Sequence, residues 1–165
     1  MNNAIFTFES PKNEPVLQYA KGSPERIAVE QELERLSNMQ IEIPLIIGGK
    51  EIKTGKLGKV VMPHDHAHVL ATYHQAGEAE VNMAIEAAMA AKEKWENLSW
   101  IDRGAIMMKA AELMAKKYRP LIVASTMLGQ SKNAFQAEID GACEAIDFLR
   151  YNVHFANQIY AEQPK

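Results

Sequence analysis

Gly129-Gln-Ser-Lys-Asn-Ala-Phe-Gln-Ala-Glu-Ile-Asp-Gly-Ala-Cys-Glu-Ala-Ile-Asp-Phe-Leu-Arg-Tyr-Asn152 carries two apolar stripes at helical spacing. One runs through Ile139, Ala142, Cys143, Ile146 and Val153, the other through Gly141, Phe148, Tyr151 and Phe155. A surface helix needs only one such stripe, so the pattern predicts a long helix, about 133–160, packed between two layers. Glu144 stands on the second stripe, between Gly141 and Phe148. A carboxylate on an apolar face must find a partner, take up a proton or line a wet pocket, because burying it bare is costly. Glu144 is therefore a candidate site residue, with plain surface exposure as the alternative.

The preceding residues extend the helical pattern. Pro120 opens a short helix on Leu121, Ala124, Ser125 and Leu128, with Gly129 as its C-cap. Ser99-Trp-Ile-Asp102 starts another, a capping box with Asp in place of Glu, followed by the stripe Met107, Ala110, Ala111, Met114 and Tyr118. From Glu78, Val81, Ala84, Ile85, Ala88 and Met89 recur at helical spacing, closed by Trp95.

Between 43 and 75 the period changes. Ile43-Pro-Leu-Ile-Ile47 reads as a strand, turned by Gly48-Gly49 into Lys50–Thr54. Lys59–Met62 and Val69–His74 read as a second antiparallel pair around a turn at Pro63-His-Asp-His-Ala-His68. Ser23-Pro-Glu-Arg26 caps a helix to about Met39 on a thin stripe of Ile27, Leu33 and Leu36. Residues 1–22, punctuated by Pro11, Pro15 and Gly22, read as an extended arm. The fold class is mainly α with a small antiparallel β element.

Composition sets the broad class. At 165 residues the chain can bury a core of its own; 24% charged residues and a net charge of −3 give no footprint for nucleic acid or an anionic membrane. No apolar run approaches the ~20 residues of a membrane span. Met1-Asn-Asn-Ala-Ile-Phe6 lacks the basic start and apolar core of a signal peptide. The single cysteine excludes an internal disulfide and suits a reducing compartment. A cytoplasmic protein is expected.

Cys143, the only thiol, lies mid-helix near Asp140, Glu144 and Asp147, a setting that disfavours a thiolate; it reads as a small buried hydrophobe. His64, His66 and His68 would share one face on a strand and could then hold zinc or nickel. Next to Pro63 they read better as solvated turn residues. Gly48-Gly49 and Gly55–Gly58 are too short and wrongly flanked for a dinucleotide or phosphate loop. In the acid-rich run Glu138, Asp140, Glu144 and Asp147 the spacing fits no metal site, and Arg150 is placed to answer Asp147.

Asn13-Glu-Pro-Val-Leu17, Gly22-Ser-Pro-Glu-Arg26, Ala84-Ile-Glu-Ala-Ala88, Thr126-Met-Leu-Gly-Gln130 and Gln136-Ala-Glu-Ile-Asp140 together resemble the delta-1-pyrroline-5-carboxylate dehydrogenases, within the aldehyde dehydrogenase superfamily. The resemblance runs from about residue 13 to the end. It implies that 23–165 is the incomplete N-terminal helical and hairpin portion of an NAD-binding domain in a three-domain α/β fold. It further implies NAD-dependent oxidation of glutamate γ-semialdehyde to glutamate in proline catabolism, by an enzyme that is a homo-oligomer, a dimer or larger. On this reading Glu144 matches a glutamate lining the aldehyde tunnel, a role without proton transfer. The family's nucleophilic cysteine, general-base glutamate, oxyanion asparagine and NAD-holding lysine and glycines have no counterpart here, and Cys143 does not match the nucleophile's glycine-rich setting. The chain then reads as the N-terminal third of such an enzyme, with no catalytic, cofactor-binding or metal residue of its own. Its partner would be the remainder of the same enzyme, and it would be catalytically silent alone. The competing reading is a stand-alone helical binding module without catalysis.

Overall fold

Asn133 caps the decisive stretch: its side chain accepts from Gln136 N (2.9 Å) while Gln136 Oε1 accepts from Asn133 N (3.1 Å). In the computed structural model, which describes residues 8–162, the single helix expected over 133–160 is three consecutive pieces. These follow a helix α1 (Pro24–Ser37), strands β1 (Ile41–Ile43), β2 (Leu45–Ile47), β3 (Lys50–Ile52), β4 (Leu57–Met62) and β5 (Asp65–His74), and helices α2 (Glu78–Glu96), α3 (Trp100–Ala115) and α4 (Arg119–Gln130). The pieces are α5 (Ala134–Ala137), a π-helical segment (Glu138–Cys143) and α6 (Glu144–Ala161). The wider π turn rephases the rod. It moves Gly141 off the Phe148 stripe and against α4, so close that a Cβ there would sit 2.6 Å from Thr126 Oγ1. It also turns Glu138 into the interior, where it is 0% exposed.

The first stripe makes the core except at Ile139, which is only half-buried and joins neither core cluster. Ala142, Cys143, Ile146 and Val153 are buried, and Ile146 and Ala142 join Val29, Ala111, Val123 and Ala137 in one cluster. Alanines at these crossings let helix backbones approach closely, so α3 and α6 pack side by side and α1 lies along α4. A second cluster, Leu36, Met62, Ala124 and Leu128, ties the helices to the sheet.

Three details differ from the sequence reading. On α1 the inward residues are Val29, Leu33 and Leu36, while Ile27 faces out. Helix α4 begins at Arg119, keeps Gly129 inside it, and ends on Ser131 in the left-handed region (φ 55°); its buried residues are Arg119, Val123, Ala124 and Leu128, whereas Ser125 is exposed and bonds back to Ile122 O. At the start of α3, Ser99 Oγ caps Asp102 N (3.0 Å) and its hydroxyl donates to Asp102 Oδ2 (2.7 Å), so the aspartate closes on the cap's side chain.

Gly48-Gly49 makes the expected hairpin, β2 to β3, with positive φ at both glycines. The strand expected at 43–47 is divided by Pro44, which has no N–H for a ladder. Its first half, β1, joins a different sheet of order β1-β5-β4, and β1–β5 is parallel, so the β element is mixed rather than wholly antiparallel. Strand β5 starts at Asp65: His66 and His68 lie on a strand, beyond register shifts at Val60/Val61 and Val61/Met62. The three histidines nevertheless diverge. His64 meets Ser131 Oγ (2.8 Å), His68 reaches the Ser37 carbonyl (2.9 Å) and His66 is exposed. Buried His74 accepts from Gly55 N (3.0 Å) and donates through Nε2 to Glu42 (2.9 Å), pinning β1 and the turn before β4 to β5.

Of the arm, residues 1–7, including the N-terminal stretch read as lacking a signal peptide, lie outside the described residues; 8–20 contain no helix or strand. Helix α2 buries no residue of its own, and its stripe of Val81, Ile85 and Met89 is exposed.

Candidate functional site

The carboxylate that the helix core encloses is Glu138 rather than Glu144. Arg119, at the first turn of α4, donates to both Glu138 oxygens and also to Glu14 and the Pro15 carbonyl (2.7 Å). Tyr19 OH (2.6 Å) and Leu17 N (2.9 Å) complete the shell around Glu138, and Arg150 pairs with the second oxygen of Glu14. Two carboxylates and two guanidiniums thus staple the arm across α4, the π segment and α6. Burial pushes the Glu138 carboxyl up, but the hydrogen bonds from Arg119, Tyr19 and Leu17 outweigh it and hold it below the ordinary range. Tyr19 is raised by burial and by the same carboxylate.

Cys143 touches this knot, 3.5 Å from Arg119 Nη2 and 3.7 Å from Glu138 Oε1. Burial first, then the Glu138 charge, push its thiol up to about 11. The inert reading of Cys143 fits that setting, but the acid responsible is Glu138, not Asp140, Glu144 or Asp147. Asp140 pairs with Lys132 (2.6 Å). Asp147 is satisfied by Asn13 and by the Glu14 backbone rather than by Arg150, which turns to Glu14 instead. Position 138 comes inward through the π turn that separates it from Ala142, which α-helical spacing does not announce. Nothing local marked Glu14 and Arg119 as its neighbours.

With the core side of the rod filled, the other side stands open. Phe148 is 63% and Phe155 49% exposed. Between them and the arm runs a groove of about 500 Å³ lined by Asn13, Glu144, Asp147, Phe148, Tyr151, Asn152 and Phe155. Glu144 is the first residue of α6, exposed, and among the described residues it has no hydrogen-bond or ion-pair partner. A larger apolar hollow of about 720 Å³ lies on the far side of Phe148, between α3 and α6, walled by Trp95, Trp100, Met107, Leu149 and Tyr160 among others. Trp100 stacks on Tyr160 there, at 5.6 Å between ring centres. The structure therefore brings the sequence-predicted residue Glu144 together with Phe148, Tyr151 and Phe155, and leaves Gly141 out. An aromatic groove with one free carboxylate at its rim suits an amphipathic ligand carrying positive charge. Among the described residues no group of three or more His, Cys, Asp and Glu side chains could hold a metal, and no helix is long and apolar enough to cross a membrane.

Residues 51–165 match the aldehyde dehydrogenase family. The chain is 47% identical over 163 residues to the delta-1-pyrroline-5-carboxylate dehydrogenase of Agaricus bisporus, covering 97% of this chain and 30% of that protein. It is 46% identical over 155 residues to the mitochondrial delta-1-pyrroline-5-carboxylate dehydrogenase of Dictyostelium discoideum, covering 94% and 28%. Among solved structures, the Delta-pyrroline-5-carboxylate dehydrogenase of Mycobacterium tuberculosis bound with NAD superposes with a TM-score of 0.95 at 46% identity, over 99% of this chain and 31% of that one. The chain spans about 30% of the length of the relatives it matches.

Proposed function

Because the chain belongs to the aldehyde dehydrogenase family, we propose that it forms the N-terminal portion of an NAD-dependent dehydrogenase of glutamate γ-semialdehyde, acting in proline catabolism, in which Glu144 lines the aldehyde's path. The observation that carries this reading is the open face of α6, where an unpaired carboxylate sits at the rim of an aromatic groove on a chain so similar to enzymes of that name. The unpaired Glu144 carboxylate there favours a substrate bearing an ammonium group and narrows the passage sterically. It serves orientation and admission, while proton transfer and nucleophilic attack fall to residues outside these 165.

The described glycine turns do not fit NAD. Gly48-Gly49 joins antiparallel strands and Gly55 turns β3 toward β4, and neither leads a parallel strand into a helix. The cofactor's cradle belongs to the remainder of the enzyme, which is this chain's partner in the proposal, and the complete protein is a cytosolic homo-oligomer.

The test mixes the 165-residue chain with a polypeptide comprising the C-terminal two-thirds of the Mycobacterium tuberculosis relative. NADH should form from glutamate semialdehyde only in the mixture. With Glu144→Ala, KM should rise about three- to tenfold at little cost in kcat, the pattern of a lost binding interaction. NAD reduction by the chain alone, or a folded mixture with none, would overturn the reading.

A further inference from the structure

Among the described residues, Asn13 is the one lining the α6 groove that does not come from α6 itself. Its side chain spans two partners more than 130 positions away: Nδ2 donates to Asp147 Oδ2 (2.8 Å), and Oδ1 accepts from Tyr151 OH (3.3 Å). Glu14 N donates to the other oxygen of Asp147 (2.7 Å). We propose that Asn13 is a positioning residue for the groove, acting through Asp147 and Tyr151; this rests on reading the groove as the aldehyde's path. An amide is the group that fits. One end must donate to a carboxylate and the other accept from a phenol, and neither a carboxylate nor an ammonium does both.

The clasp has two consequences. Each Asp147 oxygen is held by a neutral donor of the arm, which fixes that carboxylate in place and leaves Glu144 as the groove carboxylate without a side-chain partner among the described residues. The Tyr151 ring, packed at 6.1 Å on Phe155, is held at its hydroxyl end as well as its base, which fixes the aromatic wall. The clasp is not needed to dock the arm. Glu14, Leu17 and Tyr19 tie the same segment to Arg119, Arg150 and Glu138. Removing the Asn13 amide therefore alters the groove and leaves the arm in place.

The experiment uses the two-piece enzyme described above. Asn13→Ala should raise KM for glutamate semialdehyde about fivefold with kcat unchanged, the equivalent of about 1 kcal/mol. The exchange Asn13→Asp with Asp147→Asn should restore the wild-type KM, because an amide at 147 can donate to a carboxylate at 13 that still accepts from Tyr151. Asn13→Asp alone sets two carboxylates against each other and should be worse than alanine. A wild-type KM in Asn13→Ala, a fall in kcat instead, or failure of the exchange to rescue would overturn the proposal while leaving the parent reading intact. An inactive wild-type mixture would overturn both.

Discussion

Arg119→Ala is expected to lower the stability of the chain by about 3–5 kcal/mol, because it leaves a buried carboxylate without its counter-charge. Glu138 is 0% exposed and would keep Tyr19 OH, Leu17 N and the weak Cys143 thiol as donors, while Glu14 would keep Arg150. For a domain of this size the thermal midpoint should fall by about 10 °C. The size of the effect reflects the stranded charge rather than the net worth of the pair. Its pH dependence has a definite sign. In the wild type the folded-state pKa of Glu138 is depressed, so its contribution is present above the unfolded carboxyl value of about 4.3 and is lost as pH falls through the folded value. In Arg119→Ala the unpaired, buried carboxyl is raised instead, and its penalty is relieved by protonation. The stability gap between the two proteins should therefore narrow from pH 7 toward pH 4. Urea unfolding at several pH values reads it directly, and a gap that is constant or widens toward acid would refute the account of the knot.

Exposed aromatic surface on α6 leads to the second large effect. Phe148 and Phe155 each present on the order of 100 Å² of apolar surface, worth about 2 kcal/mol when covered. The chain alone should self-associate with rising concentration. Replacing both residues by serine should weaken that association by up to about a thousandfold. Exposed positions contribute little to the fold, so the thermal midpoint should move by less than about 2 °C. Sedimentation equilibrium at several loading concentrations measures the first expectation and a melting curve the second. A strictly monomeric wild type, or a double variant that associates equally well, would show that this face is not the cohesive one.

Much of the fold was legible in sequence, because its elements rest on local chemistry. Ser23, Ser99 and Asn133 cap helices that begin where their side chains direct, and Gly48-Gly49 forces the hairpin. The two-stripe reading of 139–155 separates a buried face from an open one, apart from Gly141, which packs on α4, and Ile139, which is only half-buried. The misses have a common cause in long-range pairing. The parallel ladder of β1 on β5 joins residues 30 apart, Ile41 with Ala71, and no short-range period announces it. Within the π turn Glu138 meets Arg119, Tyr19 and Leu17, groups drawn from two distant segments, the arm and α4. Glu144 stands out in sequence as a carboxylate on an apolar stripe, whereas the carboxylate the core has to neutralise is Glu138, which the π turn brings inward.

The central claim is that one side of the rod at 134–161 builds this chain's own core while the other is made for the rest of a family enzyme and its substrate path. Hydroxyl-radical footprinting of the 165-residue chain, alone and mixed with the C-terminal two-thirds of the Mycobacterium tuberculosis relative, tests it most directly. Phe148, Tyr151, Phe155 and Tyr160 should be modified readily in the free chain and protected in the mixture, with Ile146 and Val153 protected in both. Equal modification of the four aromatic residues in an active mixture would contradict the claim.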